Sequence, residues 1–377
     1  MAKIKIIGPA FPYRGGIAAF NERLASEYSR LGHNVEIETF TLQYPGFLFP
    51  GKTQYSEGEQ NPELAIKRSI NSISPFNWIR VGRKIRKENN DIVIFKFWLP
   101  FMGPCLGTIA RIIKKNKHSK VLAVLDNIIP HELRPGDKLL TSYFVKSQSG
   151  FIAMSESVMN DLELFGTNVP RLYSPHPVYD NYGKIIDRTE ALDKLGLDPD
   201  YSYLLFFGLI RDYKGLDLLI EAFSESRFRN RKIKILVAGE FYTDSEKIYK
   251  LIDEKGLKDE IIIKSEFIPD REVASWFCAS DMVVQPYKSA TQSGITQIGY
   301  NFLKPMLVTK VGGLPEIITH NKGGYVVDPK PSAIADALDD FYLNNREKDF
   351  IKGIENDRKK FGWDRMIASI EMILDKI

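Results

Sequence analysis

Two cations and a run of hydroxyls mark the second half of the chain. Arg211 and Lys214 sit in "FGLIRDYKGLDLLIEAF" (207–223), between an apolar run ending at Gly208 and a helix-like pattern beginning near Gly215. Arginine offers a planar fork of donors and lysine a compact ammonium, a pairing suited to a diphosphate held where a helix begins. An isolated R-x-x-K fits two solvated surface charges equally well. Further on, "YKSATQSGITQIGY" (287–300) carries one charge, Lys288, around Thr291, Gln292, Ser293, Gly294 and Ile295. Such residues make ordinary strand-to-helix connections. They also make anion sites, because the first turn of a helix presents unpaired N–H groups and the positive end of its dipole. Gly294 would let the N–H groups of Gly294 and Ile295 approach an oxygen closely. Two phosphate-friendly loops in one domain favour the anion reading over either loop taken alone.

The first half holds further candidates. "PAFPYRGGIAAF" places Gly15 and Gly16 after the first apolar run but lacks the G-x-G-x-x-G spacing of a dinucleotide fingerprint, so a Rossmann dehydrogenase is poorly supported. Close backbone approach to a ligand and a tight packing turn are equal readings of these glycines. "LDNIIPHEL" (125–133) gathers Asp126, His131 and Glu132, a carboxylate and an imidazole able to orient hydroxyls or move protons. Asp-Asn after a strand is also ordinary turn chemistry. His176, between prolines, reads as part of a rigid linker, with ligand contact the lesser alternative.

These residues need elements to position them, and short β-branched runs alternate with amphipathic segments throughout. The strand-like runs are 3–8, 34–40, 91–97, 120–126 and 150–155, then 203–208, 232–240, 260–267, 281–287 and 305–312. Strands apolar on both faces, separated by helical patterns, predict parallel sheets covered by helices. The expected architecture is α/β, with two doubly wound Rossmann-like domains, the first over 1–180 and the second over 181–360. Residues 361–377 read as a helix packing back toward the first domain. The turn-rich stretch 45–61 reads as a mobile loop. Ligands are expected in a central crevice, where the carboxyl ends of the strands of the two domains face each other.

Composition narrows the class. The 377 residues are 44% hydrophobic and 27% charged, which describes a soluble globular protein. Two distant cysteines, Cys105 and Cys278, suggest neither a disulfide framework nor a zinc site and fit a reducing cytoplasm. The N-terminus reads as a first strand without a secretion signal, and the longest apolar stretch, 97–110, is too short and too broken by prolines to span a bilayer. No metal site, cofactor or nucleic-acid partner is expected. Residues 1–180 hold 23 Lys and Arg against 16 Asp and Glu, a balance of +7 within a chain of +4. "SPFNWIRVGRKIRKENN" (74–90) contributes Arg80, Arg83, Lys84, Arg86 and Lys87 among apolar residues, and "RIIKKNKHSK" (111–120) adds a second basic cluster. Packing on the sheet with a basic outer face, and reversible docking on an anionic membrane surface, are both open for such a helix.

Taken together, "PYRGGIAAF", "DNIIPHE", "FFGLIRDYKGLDLLIEAF", "TQSGITQIGYNFLKP" and "VGGLPEIITHNKGGYVVDP" resemble glycosyltransferase family 4, retaining enzymes of the GT-B fold. The resemblance runs over nearly the whole chain in the right order. It implies transfer of a sugar from a nucleotide diphosphate donor to a saccharide or lipid-linked acceptor, without a metal, in cell-surface polysaccharide or glycan synthesis. It further implies that Arg211 and Lys214 hold the donor diphosphate, with Gly208, Gly294, Ile295 and Glu316 at the donor and Gly16 approaching from the first domain. Two departures stand out. Aligned on Ser293-Gly294, Thr291 and Gly299 occupy the places of two glutamates that ordinarily contact the donor, and Asp126 stands where many relatives carry histidine. The alternatives are a sugar-nucleotide epimerase of the same fold, for which the second domain lacks a carboxylate and histidine pairing, and a non-catalytic nucleotide-sugar-binding protein.

Overall fold

Stretches of Ile, Val, Leu and Phe with no polar face can be buried only if both sides of the sheet are covered, and the chain does this twice. A computed structural model describes residues 1–46, 49, 52–130, 134–227 and 231–377. It divides into one unit of Met1–His176 with Trp363–Ile377 and a second of Pro177–Gly362.

The first unit has seven strands, β1 (Lys3–Ile7), β2 (Asn34–Leu42), β3 (Ala65–Asn71), β4 (Ile92–Phe97), β5 (Lys120–Leu125), β6 (Phe151–Ala153) and β7 (Arg171–Tyr173). All pairings are parallel, in the order β3-β2-β1-β4-β5-β6-β7. Helices α1 (Gly16–Arg30), α2 (Pro75–Lys87), α3 (Gly103–Ile113), α4 (Asp137–Val145) and α5 (Glu156–Glu163) connect them. The C-terminal helix Trp363–Leu374 buries Ile370 and Ile373 in this unit, and Lys120 Nζ donates to the Leu374 carbonyl at 2.6 Å. Gly150 lies under it, since a Cβ there would meet Ile373 at 2.5 Å.

The second unit has β8 (Ser202–Phe207), β9 (Ile233–Ala238), β10 (Ile261–Lys264), β11 (Met282–Gln285), β12 (Met306–Thr309) and β13 (Gly324–Val327) in the order β10-β9-β8-β11-β12-β13, again all parallel. Its helices are α6 (Arg188–Leu195), α7 (Leu216–Glu225), α8 (Ser245–Lys255), α9 (Asp270–Ala279), α10 (Gly294–Asn301), α11 (Leu314–Ile317), α12 (Pro331–Leu343) and α13 (Glu347–Arg358).

Each of the ten expected runs is a strand. Three further strands carry weak signals: β3 is interrupted by Lys67 and Arg68 at a sheet edge, β7 has three residues, and β13 has four. The segment expected as a mobile loop is partly fastened. Tyr55 bridges to Tyr13, Arg14 N–H donates to the Gln54 carbonyl at 3.0 Å, and the Gln54 side chain bonds Tyr44 twice. Backbone pairing gives this polar stretch the partners that its composition does not announce.

A buried ionic cluster crosses β1 and β2. Lys5, 1% exposed, is ion-paired with Glu36, with Glu88 at 2.9 Å and with Glu38 at 3.4 Å. Burial opposes the ammonium, but its hydrogen bonds to Glu36 and Glu88 and the charge of Glu38 outweigh it and raise the Lys5 pKa. These three carboxylates form a group with metal-ligand spacing among the described residues, and the Lys5 ammonium is bonded to all three.

Candidate functional site

In each sheet the strand order reverses direction once, between β1 and β4 in the first unit and between β8 and β11 in the second. Connections leave such a point on opposite sides and open a crevice at the carboxyl ends of the strands. In the second unit the two loops at this point are those with the cations and the hydroxyls.

Backbone geometry fixes both. Gly208 leaves β8 with φ 97°, a conformation open to glycine. Arg211 is extended and opens a 3-10 turn over Asp212–Lys214, closed by Gly215 at φ 69°. A Cβ on Gly215 would stand 2.0 Å from the Pro286 carbonyl oxygen, so the turn lies directly against the end of β11. Lys288 N–H donates to the Tyr213 carbonyl at 2.7 Å, and the Lys288 ammonium pairs with Asp217 at 2.5 Å. The single charge of the hydroxyl loop is thereby neutralised.

Lys214 is 9% exposed. Its Nζ and Ile295 Cδ1 each lie 3.3 Å from the point where a Gly208 side chain would begin, so Gly208, Lys214 and Ile295 converge. The ammonium is 5.5 Å from the Tyr287 ring centre, and the Arg211 guanidinium is 5.2 Å from that of Tyr242. Among the described residues, neither cation has a carboxylate partner. Burial, reinforced by the Arg211 charge, brings the Lys214 pKa down to about 8. A buried ammonium beside a second cation is costly unless an anion joins it.

The α10 turn departs from expectation in two respects. Ser293 caps the helix through its own Oγ, which accepts from Ile295 N–H at 3.2 Å, so that N–H is already engaged within the turn. Gly294 has no left-handed φ; a Cβ there would meet the Tyr179 ring at 2.9 Å. The glycine therefore makes room for an aromatic ring. Gln292 and Thr291 precede the cap, and Thr291 O accepts from Gly313 N–H at 3.1 Å. Gly312, with φ 49°, presses on the Ala290 carbonyl, which brings the loop after β12, and the exposed Glu316 on α11, to the same edge. Gly299 faces Met306 Sδ at 2.5 Å from an ideal Cβ, so a glutamate at 299 would require Met306 to move.

In the first unit, Gly15 caps α1 with φ 102° and nothing within 4 Å of a Cβ, so its conformation rather than crowding calls for glycine. Gly16 opens the helix. Asp126, after β5, pairs with Lys96 Nζ at 3.0 Å. Lys96 is 1% exposed near the end of β4, its ammonium 3.5 Å from the centre of the Phe20 ring, and burial lowers its pKa although the Asp126 charge opposes the fall. Sequence reasoning passed over Lys96; the available signal was a lysine inside the apolar run "DIVIFKF". His131 lies outside the described residues. His176 is buried against Phe20, with ring centres 5.3 Å apart.

Two parallel-sheet Rossmann-like units define the chain as a protein of the GT-B fold. Residues 187–358 match the family described as glycosyl transferases group 1, so the second unit carries a group 1 glycosyltransferase domain. An uncharacterized glycosyltransferase of Methanocaldococcus jannaschii is 24% identical over 100% of this chain and 99% of its own. A D-inositol 3-phosphate glycosyltransferase of Pseudarthrobacter chlorophenolicus is 30% identical, but over 48% of this chain and 44% of its own length. Among solved structures, sucrose-phosphate synthase of Thermosynechococcus elongatus superposes with a TM-score of 0.76 at 14% identity, covering 98% and 97% of the two chains. HepE of Anabaena, in complex with UDP and glucose, superposes with a TM-score of 0.75 at 14% identity over the whole of both. At these identities the likeness is one of fold.

Proposed function

We propose that this chain is a glycosyltransferase that moves a hexosyl or related sugar from a nucleotide diphosphate donor to a saccharide or lipid-linked acceptor, with retention at the anomeric carbon, in cell-surface glycan synthesis. The observation that carries the reading is Lys214: a buried ammonium without a carboxylate partner among the described residues, next to Arg211, at the point where the sheet order reverses. A leaving diphosphate supplies the missing negative charge, and the two cations stabilise it as the glycosidic bond to the donor breaks. Because these side chains provide that charge, transfer is proposed to proceed without a metal and to persist in chelator. The UDP seen in HepE makes a uridine donor the first to try. Thr291, Gln292 and Ser293 are assigned to the donor loop, as are Gly294 and Glu316, and Asp126 is the first unit's candidate for orienting a sugar hydroxyl.

The test is turnover on a panel of nucleotide sugars, with the product's anomeric configuration read by NMR. Replacing Arg211 or Lys214 with Ala is expected to lower turnover by roughly 10²- to 10³-fold, the range for loss of one preorganised donor. Near-normal turnover by both variants on a confirmed donor refutes the assignment, and an inverted product refutes retention.

A further inference from the structure

We infer that the outer face of α2 docks the first unit on an anionic lipid surface. The helix is fixed in its rotation. Ser74 caps it, Pro75 occupies its first turn, and Val81 and Ile85 are buried. Trp78, the residue that the sequence alone would send to a membrane interface, instead donates its Nε1–H to the Asn71 carbonyl at 2.7 Å. What remains outside is one stripe at helical spacing: Phe76, Ile79, Arg80, Arg83 and Lys87. Phe76 is 89% exposed, and Ile73, just before the helix, is 51% exposed. With Lys84, the five side chains of the stripe line a groove of about 730 Å³.

The charges on this stripe are uncommitted. Lys84 is held by Glu38 at 3.0 Å, whereas Arg80, Arg83 and Lys87 have no carboxylate partner among the described residues. Three unpaired cations beside exposed aromatic and aliphatic side chains match the two layers of an anionic leaflet, phosphate above and hydrocarbon below. A nucleic acid would use the cations but leave Phe76 and Ile73 in water.

Topology says which end meets the surface. A helix that follows a parallel strand begins beside the carboxyl edge of the sheet, so Ile73 and Phe76 lie at the edge that carries Lys96 and Asp126. Helix α3 packs between α2 and α4, and Leu139 in the first turn of α4, 76% exposed, lies on the same face and edge. Docking there would present that edge to a lipid-borne molecule. The inference rests on the α2 surface and holds whether or not the transferase reading does.

The test is co-sedimentation of the full chain with vesicles of phosphatidylcholine alone or of an equimolar mixture with phosphatidylglycerol. Binding is expected only to the mixture, weakening with salt. Because one basic residue near such a surface contributes roughly a fivefold change in partition, Arg80→Gln, Arg83→Gln and Lys87→Gln together should weaken it about a hundredfold. Phe76→Ser should weaken it with the salt dependence intact, and circular dichroism checks that these exposed substitutions leave the fold unchanged. Equal binding to both vesicles, no binding to either at low salt, or undiminished binding by the triple variant overturns the inference. So does binding to a DNA duplex that matches the vesicles in strength and is unaffected by Phe76→Ser.

Discussion

Lys214 should make the affinity of the proposed site for a nucleoside diphosphate depend on pH. Burial, with Arg211 beside it, brings its pKa from 10.5 to about 8 in the unliganded protein. A diphosphate seated against both cations supplies the opposite charge and returns the ammonium toward its ordinary value. The liganded protein then keeps this proton up to about 10.5, while the free protein releases it above about 8, so binding takes up a proton in between. Affinity therefore falls as pH rises. With full restoration the loss from pH 7 to pH 9.5 is roughly thirtyfold, about 2 kcal/mol. Folding responds with the opposite sign: a lysine whose folded pKa is depressed binds its proton more weakly than the unfolded chain does, so the unliganded protein gains stability as pH rises from about 8 toward 10.5. Calorimetric titration with UDP and with GDP near pH 9, in two buffers of different ionisation enthalpy, should show uptake of close to one proton. Lys214→Met should abolish that uptake and leave a weaker, pH-independent affinity. A protein that binds the nucleotide with no proton uptake and no pH dependence would refute the reasoning about Lys214.

Gly294→Val places methyl groups against Tyr179 and should cost about 1–3 kcal/mol of stability by overpacking, with Tyr179→Ala restoring part of the loss in urea unfolding. Lys5→Met leaves Glu36, Glu38 and Glu88 without their shared ammonium and should cost about 3–5 kcal/mol at neutral pH. Burial opposes ionisation of Glu36 and Glu88, but Lys5, with Lys67 beside Glu36, outweighs it and lowers their pKa values, so the stability they contribute is present above the ordinary carboxylate range and lost below it, as pH falls through the lowered values. The gap between wild type and Lys5→Met should accordingly narrow only below the ordinary carboxylate range, and a gap independent of pH would show that the cluster is not its cause. Asp126→Asn should destabilise the first unit by exposing Lys96 as an uncompensated buried charge, and adding Lys96→Met should recover stability. Strict additivity in that double-mutant cycle would mean the two groups do not interact.

The doubly wound sheets were legible because their central strands are apolar on both faces, a pattern that only burial between helices accommodates. The strands that escaped notice lack it: β3 carries Lys67 and Arg68, and β13 is the four residues "GYVV". In the candidate site, Arg211 and Lys214 could be found because both cations fall in one loop. Tyr179 could not be connected with Gly294, since more than a hundred residues separate them and nothing in "TQSG" specifies what its glycine must admit. The Ser293 cap was missed for a related reason. The hydroxyl that makes a loop look ready for phosphate is chemically the same one that closes the helix start by itself.

The two buried lysines at the carboxyl edges of the sheets differ in what they ask of a ligand. Lys96 sits at the end of β4, beside the point where the first sheet reverses, and Lys214 follows β8 at the corresponding point of the second. Burial lowers the pKa of both. Lys96 meets this cost within the fold, through Asp126 at 3.0 Å and the face of Phe20. Its positive charge is spent on the Asp126 carboxylate, which the contact holds in one orientation as the proposed acceptor of a hydrogen bond from a sugar hydroxyl. Lys214 has Arg211 for a neighbour, and two like charges in a confined space cannot satisfy each other. Among the described residues no carboxylate completes that pair, and the proposed diphosphate would. The same residue type, in equivalent positions of two similar sheets, is thus paired with a carboxylate in one and left beside a second cation in the other, which is why the proposed diphosphate is assigned to Lys214 and not to Lys96.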